Sequence, residues 1–174
     1  QMDNQTLMIQ AALDNDSGKP AKITGVAYSG GTFAQMWDSR PLVLDLAGLE
    51  LAPQIPLMVS HEYSPEKKLG EVKAEITDNQ LVIEGEICSE TAEAKEIIAM
   101  GKKSSWQLSI GADIVSRTIV NENDKIDVNG RTFTGPLIVV SRAKLREVSV
   151  VALGADENTS MQIAASFALK LTST

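Results

Sequence analysis

The chain has 174 residues, 43% of them hydrophobic and 22% charged, a composition typical of a single globular domain spanning residues 1–174. Its formal net charge of −7 argues against a nucleic-acid partner, because an acidic surface repels phosphate groups. One cysteine and one histidine exclude an internal disulfide and leave too few ligands for zinc. We expect no metal and no cofactor, although carboxylates alone could still hold magnesium. The sequence shows neither a signal peptide nor an apolar run long enough for a bilayer, so we expect an intracellular protein without a membrane partner.

The first half of the chain predicts a series of strands separated by turn residues. These strands are expected at residues 6–13, 21–28, 42–46, 55–61, 69–76 and 81–87. The polar residues 77–80 between the last two predict a hairpin. Residues 32–40 have no clear period and predict a loop.

The second half combines helix signals with further strands. Ser89 is the predicted N-cap of a helix that ends at Gly101. Residues 155–169 predict a terminal helix capped by Asp156 or Asn158. Further strands are expected at residues 106–120, 126–133 (a hairpin around Asn129-Gly130) and 137–153. The whole pattern favours a mainly β fold of the α+β class, with an antiparallel, barrel-like core and peripheral helices.

The lone histidine, His61, is predicted at the end of an apolar strand, before a polar segment. Strand ends that run into loops often carry functional groups. A half-buried histidine at a strand edge explains the same position, and position alone favours that interpretation. Any mechanism that needs a histidine base must nevertheless use His61, because the chain has no other.

Ser109 lies in the predicted strand 106–120, where side chains alternate between two faces. Alternation places Leu108 and Ile110 toward the core and Ser109 with Gly111 on the opposite face. Gly111 leaves space beside the hydroxyl, where a substrate backbone could approach. A solvent-facing serine beside a bulge glycine is the plainer interpretation, and the pattern alone favours it.

Glu147 falls on the same side of its predicted strand as Leu145. A carboxylate there needs a partner, because an unpaired buried charge is costly. One candidate is His61, whose Nδ1–H the carboxylate would hold while it stabilises the imidazolium. The alternative is a neighbouring basic side chain, and the two interpretations are equally supported. The basic candidates are Arg142, Lys144 and Arg146.

Cys88 offers a second nucleophile that could pair with His61. It follows an apolar strand and precedes a helix start, so a packed structural cysteine is the favoured interpretation. Carboxylate pairs could support a different hydrolase, but no spacing singles out a pair.

Three short segments, in this order, resemble the prohead proteases of tailed phages, and the likeness extends over about residues 20–165. The segments are Val59-Ser60-His61-Glu62, Leu108-Ser109-Ile110-Gly111 and Leu145-Arg146-Glu147-Val148-Ser149-Val150-Val151. The resemblance implies a serine endopeptidase related in fold to the herpesvirus assemblins, a β-barrel surrounded by helices. It further implies Ser109 as nucleophile, His61 as base and Glu147 as third member, with an oxyanion hole of backbone N–H groups aided by Arg142 or Arg146.

The same resemblance implies a substrate and a location. The substrate would be the scaffolding region of the major capsid protein, or a scaffold protein, and the enzyme would also cleave itself. The protein would act inside the assembling prohead in the host cytoplasm, as a monomer or a homo-oligomer. The alternative is a non-catalytic capsid assembly module on the same fold.

Overall fold

The computed structural model of the protein describes residues 20–33, 38–154 and 156–164. In chain order its strands are β1 (Ala21–Tyr28), β2 (Thr32–Phe33), β3 (Leu42–Leu44), β4 (Leu49–Glu50), β5 (Ile55–Val59), β6 (Gly70–Thr77), β7 (Gln80–Ile87), β8 (Gln107–Val120), β9 (Lys125–Val128), β10 (Arg131–Thr134), β11 (Leu137–Val151) and β12 (Ser160–Ala164). An α-helix, α1 (Ala92–Gly101), lies between β7 and β8. Over the described ranges, no helix has the length and apolarity needed to cross a bilayer.

One curled sheet forms the body of the protein. Its strands pair in the order β12-β1-β7-β6-β5-β11, and β8 pairs with the other side of β11. A bridge between Trp106 and Met161 brings the start of β8 back to β12, with the Met161 N–H donating to the Trp106 carbonyl at 3.0 Å. The predicted barrel-like β core is therefore confirmed. Most pairs are antiparallel, whereas β11 pairs in parallel with β3, β4 and β5.

Aliphatic side chains fill the interior of the curled sheet. Alternate residues of each strand point inward, which is why the strands show a period of two in the sequence. Leu57 of β5, Leu108 of β8 and Val148 of β11 are completely buried in this cluster. Leu57 and Val148 are register partners, so β5 and β11 share one packed layer.

In the described part of the predicted helix 155–169, residues 160–164 form the strand β12 instead, and residues 155 and 165–169 lie outside the described residues. Residues 160–164 pair with the outer edge of β1, from Lys22 opposite Ala164 to Val26 opposite Ser160. This edge offers a row of unpaired backbone groups, and pairing with them outweighs a short local helix preference. The Asp156 carboxylate caps a turn by accepting the Asn158 backbone N–H at 3.0 Å, and its other oxygen accepts the backbone N–H of Ser29 at 2.7 Å. The predicted strand 6–13 lies outside the described residues.

The connection from β7 to α1 differs from the prediction in two details. The N-cap is Thr91, whose side chain accepts the Ala94 N–H at 3.1 Å, while the Ser89 hydroxyl contacts that of Thr91 at 3.2 Å. Cys88 is exposed, so the expectation that it packs as a small apolar residue is wrong. Its backbone N–H bonds to the Leu69 carbonyl at 2.8 Å, and this pairing fixes its position.

Candidate active site

The long antiparallel pair of β8 and β11 sets the position of Ser109. Ser109 stands opposite Ser149, and Gly111 stands opposite Glu147. Leu108 is buried and Ile110 packs against the core, as alternation predicted, so Ser109 lies on the outer face of the sheet. The hydroxyl is therefore carried by a strand whose other face is anchored in the interior.

A bulge at Arg146 places Glu147 on the same outer face. Leu145 stands opposite Ala112 and Glu147 opposite Gly111, so Arg146 is an extra residue in β11. Leu145 and Val148 both point into the core, which a regular strand would not allow. The bulge reverses the alternation between them and turns Glu147 outward. The prediction that Glu147 shares the side of Leu145 is therefore wrong.

His61 lies in a tight turn that follows β5, and the predicted strand 55–61 ends at Val59. The Glu62 N–H donates to the Val59 carbonyl at 3.0 Å, which closes the turn over Ser60 and His61. Both central residues have left-handed backbones, with φ of 51° and 58°, the signature of a type I′ turn. Such φ values cost non-glycine residues about 1–2 kcal/mol each, so the surrounding contacts must hold the turn.

The turn brings the imidazole between the other two candidate side chains. His61 Nε2 lies 2.9 Å from the Ser109 Oγ, and His61 Nδ1 lies 2.5 Å from Glu147 Oε1. The His61 side chain is 38% exposed and the Glu147 side chain 3%, so the chain of bonds ends on a carboxylate that is covered from solvent. A carboxylate on Nδ1 places the proton there and leaves Nε2 free to accept the serine proton.

The surroundings of His61 stabilise its protonated form relative to that of a free imidazole. The hydrogen bond to Glu147 raises the pKa of His61, partial burial opposes it, and the negative charge of Glu147 adds to the increase. An imidazolium that forms during proton transfer from Ser109 is stabilised by the same contact. Glu147 itself is 2% exposed, so its partners have little competition from water.

Tyr63 approaches the same carboxylate from the solvent side. Partial burial, followed by the charges of Glu147 and Asp113, raises the pKa of the Tyr63 phenol, and a hydrogen bond with Glu147 adds to it. Tyr63 is 71% exposed overall, and nothing in the sequence of its polar loop indicates this contact.

Gly111 leaves room for Glu147. A Cβ at this position would lie 2.3 Å from Glu147 Oε1 and 3.1 Å from the Tyr63 hydroxyl. The carboxylate therefore fills the space in which the sequence analysis placed a substrate backbone. Because Gly111 has no side chain, Glu147 can lie over it and reach His61 Nδ1.

Ser149 is the second residue that the sequence analysis did not single out. Its hydroxyl accepts the His61 backbone N–H at 3.0 Å and donates to Glu147 Oε2 at 2.7 Å. A signal was present, because Ser149 lies two residues after Glu147 and between two valines, and a buried hydroxyl there needs partners.

The two arginines considered for the oxyanion hole occupy different places. Arg146 is exposed, donates through Nε to Asp113, and lines a cleft beside Glu147 with Tyr63 and Met58. Arg142 stands opposite Ser116, far down the same strand. At about 3.3 Å per residue it lies on the order of 20 Å from Ser109, so the fold does not bring it to the hydroxyl.

A serine hydroxyl bonded to an imidazole, with a buried carboxylate on the other ring nitrogen, is the arrangement of a serine hydrolase. The chain belongs to the caudovirus prohead serine protease family, whose match spans residues 12–172. It is therefore a serine peptidase of a phage capsid maturation family. No curated protein sequence matches the chain.

Solved structures of the Kaposi's sarcoma-associated herpesvirus protease are similar to this chain. A room-temperature structure with an allosteric inhibitor, compound 250, shares 15% identity over 88% of this chain and 82% of that chain, with a TM-score of 0.48. A second complex with an allosteric inhibitor shares 14% identity over 88% and 81% of the two chains, with a TM-score of 0.49. A complex with a hexapeptide phosphonate inhibitor shares 13% identity over 83% and 65%, with a TM-score of 0.43.

Proposed function

We propose that Ser109 is the nucleophile of this peptidase, His61 its general base and Glu147 the residue that orients and stabilises the imidazole. The observation that carries the proposal is the continuous chain of hydrogen bonds, 2.9 Å from Ser109 to His61 and 2.5 Å from His61 to Glu147. A serine hydroxyl is a weak nucleophile at neutral pH and needs an adjacent base. His61 is positioned for that role.

The reaction follows from these contacts. The Ser109 Oγ attacks the scissile carbonyl carbon while its proton moves to His61 Nε2. The imidazolium then gives that proton to the leaving amine as the C–N bond breaks, which produces an acyl-enzyme. Water deprotonated by His61 attacks the ester, and the proton returns to Ser109 as the acid product leaves. Glu147 holds Nδ1–H throughout and stays ionised.

Backbone N–H groups are the donors we expect at the oxyanion. Arg146 is already paired with Asp113, and Arg142 lies opposite Ser116. Neither guanidinium is therefore free beside the Ser109 hydroxyl. Backbone donors supply most oxyanion holes in serine hydrolases, and they need no side chain that the sequence would reveal.

The substrate we propose is the scaffolding segment of the phage capsid protein, or a separate scaffold protein, together with the enzyme's own chain. The family description places such enzymes in the prohead, which supports a site of action within the assembling shell in the host cytoplasm. Confinement with the substrate raises its effective concentration, so cleavage there does not require tight binding.

Labelling with a fluorophosphonate tests the chemistry directly. We expect covalent addition at Ser109, mapped by peptide mass spectrometry, and its loss in His61→Ala. Ser116→Ala is the matched control, because Ser116 lies on the same strand and its hydroxyl contacts Ser141 at 3.0 Å instead of an imidazole. Labelling that persists at full rate without His61 would remove the proposed mechanism.

Coexpression with the capsid protein tests the substrate. We expect the wild-type protein and Ser116→Ala to cut the capsid protein at defined sites, and Ser109→Ala to leave it intact. Intact mass spectrometry of both chains reports the cut sites and any self-cleavage. Identical cleavage by wild type and Ser109→Ala would assign the activity to another residue or a host enzyme.

A further inference from the structure

The hydroxyl of Ser149 joins the carboxylate of Glu147 to the backbone of His61. It is completely buried, and its two hydrogen bonds run in different directions. A serine hydroxyl has one proton to donate, and here that proton points to Glu147 Oε2 at 2.7 Å. The oxygen accepts the backbone N–H of His61 at 3.0 Å.

The first bond fixes the orientation of the carboxylate. Glu147 receives His61 Nδ1–H on Oε1 and the Ser149 hydroxyl on Oε2, so each oxygen has its own donor from a different strand or turn. The terminal torsion of a glutamate is broad and has no single preferred well. Two donors on separate oxygens restrict that torsion. Without the Ser149 hydroxyl the carboxylate keeps its contacts with His61 and Tyr63, but Oε2 loses its buried donor and the orientation is less restricted.

The second bond holds the turn that carries the imidazole. Ser60 and His61 both have strained left-handed backbones, and the turn lies over the end of β5. The Ser60 N–H bonds to the Val150 carbonyl at 3.1 Å, and the His61 N–H bonds to Ser149 Oγ. Loss of the second contact would leave a single N–H of the turn attached to β11 while the backbone strain favours relaxation.

We propose that Ser149 is a positioning residue of the active site, which sets the carboxylate of Glu147 and the backbone of His61 in one mutual geometry. The inference rests on the proposed roles of Ser109, His61 and Glu147. Ser149 does not touch the reacting atoms and acts through its two neighbours. Its position in β11, opposite Ser109 and two residues after Glu147, places it directly beneath the hydrogen-bonded chain.

Ser149→Ala removes both bonds with the smallest change of volume. We expect the second-order rate of fluorophosphonate labelling at Ser109 to fall by up to ~100-fold, since a displacement of about 1 Å at a reacting group has that effect. Ser141→Ala is the matched control, because Ser141 lies on the same strand and its hydroxyl contacts that of Ser116. We expect its labelling rate to equal that of the wild type.

Nuclear magnetic resonance separates positioning from stability. The chain has one histidine, so a ¹⁵N-labelled sample gives a single set of ring signals. We expect a downfield Nδ1 proton in the wild type and in Ser141→Ala, and its loss through exchange with water in Ser149→Ala. The imidazole of Ser149→Ala should titrate closer to the ordinary pKa of histidine, because the contact with Glu147 is the main cause of its raised pKa.

Ser149→Thr keeps the hydroxyl and covers the case in which the alanine variant does not fold. The register neighbour Met58 is a flexible side chain that can make room for one methyl group. We expect the downfield proton and most of the labelling rate to be retained. A folded threonine variant without that proton, or an alanine variant with wild-type signals and rate, would overturn the proposal.

Failure of the positioning role of Ser149 can be distinguished from failure of the proposed function. If the wild type is not labelled at Ser109, the nucleophile assignment fails, yet the ring signals of His61 still report whether Ser149 positions it. If labelling occurs and depends on His61 but not on Ser149, the proposed function stands and the positioning role is rejected.

Discussion

Replacement of Gly111 by alanine tests the geometry of the site at its tightest point. The new Cβ would lie 2.3 Å from Glu147 Oε1 and 3.1 Å from its Cδ. Ordinary van der Waals contact begins near 3.4 Å, so the carboxylate oxygen must move by about 1 Å. That oxygen is the one bonded to His61 Nδ1 at 2.5 Å, so the movement breaks or lengthens this bond.

The expected cost falls on activity more than on folding. A shift of about 1 Å in a catalytic contact lowers rates by up to ~100-fold. Overpacking of one methyl group destabilises by about 1–3 kcal/mol, and here the side chains that meet it border solvent on the Tyr63 side. We therefore expect Gly111→Ala to fold, to label slowly at Ser109 with a fluorophosphonate, and to show a lowered pKa for His61.

Gly31→Ala is the matched control. A Cβ there would lie 3.2 Å from the end of the Arg131 side chain and 3.4 Å from the Ser29 hydroxyl. Neither group is part of the site. We expect normal labelling. Combining Gly111→Ala with Glu147→Asp should restore part of the rate, since the shorter side chain withdraws from the new methyl group. A wild-type labelling rate in Gly111→Ala alone would refute the placement of Glu147 over this glycine.

Three further predictions concern protonation, backbone strain and helix capping. Glu147→Gln removes the main cause of the raised pKa of His61. Because labelling requires the neutral imidazole, its rate should reach half its plateau at a lower pH than in the wild type, and the plateau itself should be lower. An unchanged or higher midpoint would contradict the expected fall in the pKa. Ser60→Asn places a residue that tolerates left-handed φ at the turn and should raise the unfolding free energy by ~0.5–1 kcal/mol in denaturant titrations without slowing labelling; a loss of stability would show that the serine is not strained. Thr91→Ala should lower stability by about 1 kcal/mol, and Ser89→Ala by less, with labelling intact in both; the reverse order would restore Ser89 as the cap.

The parts of the site that sequence reasoning could predict are those set by local alternation. The face of Ser109 follows from the period of two between Leu108 and Ile110, and that face is confirmed. The tight turn at Asn129-Gly130 connects β9 and β10, as that dipeptide predicts. Such features depend on neighbouring residues alone, so one sequence contains the information for them.

The parts that could not be predicted depend on partners far along the chain. The bulge at Arg146 lies in β11 between the residues that pair with β4 and those that pair with β5, and nothing in the local sequence marks it. Residues 160–164 form a strand because the edge of β1 is available, although it lies more than a hundred residues earlier. The bulge decides which way Glu147 points, so the orientation of this residue was the feature of the site least predictable from the local sequence.

The strained turn at His61 persists because exposing the buried side chains behind it would cost more free energy than relaxing the backbone strain would release. Two left-handed residues, Ser60 and His61, cost about 1–2 kcal/mol each. Burial of one large aliphatic side chain contributes about 1.5–3 kcal/mol, and Leu57, Val148 and Val150 are all buried in the layer where β5 meets β11. Relaxing the turn by shifting β5 would expose that layer, so packing outweighs backbone strain and holds the imidazole within reach of Ser109.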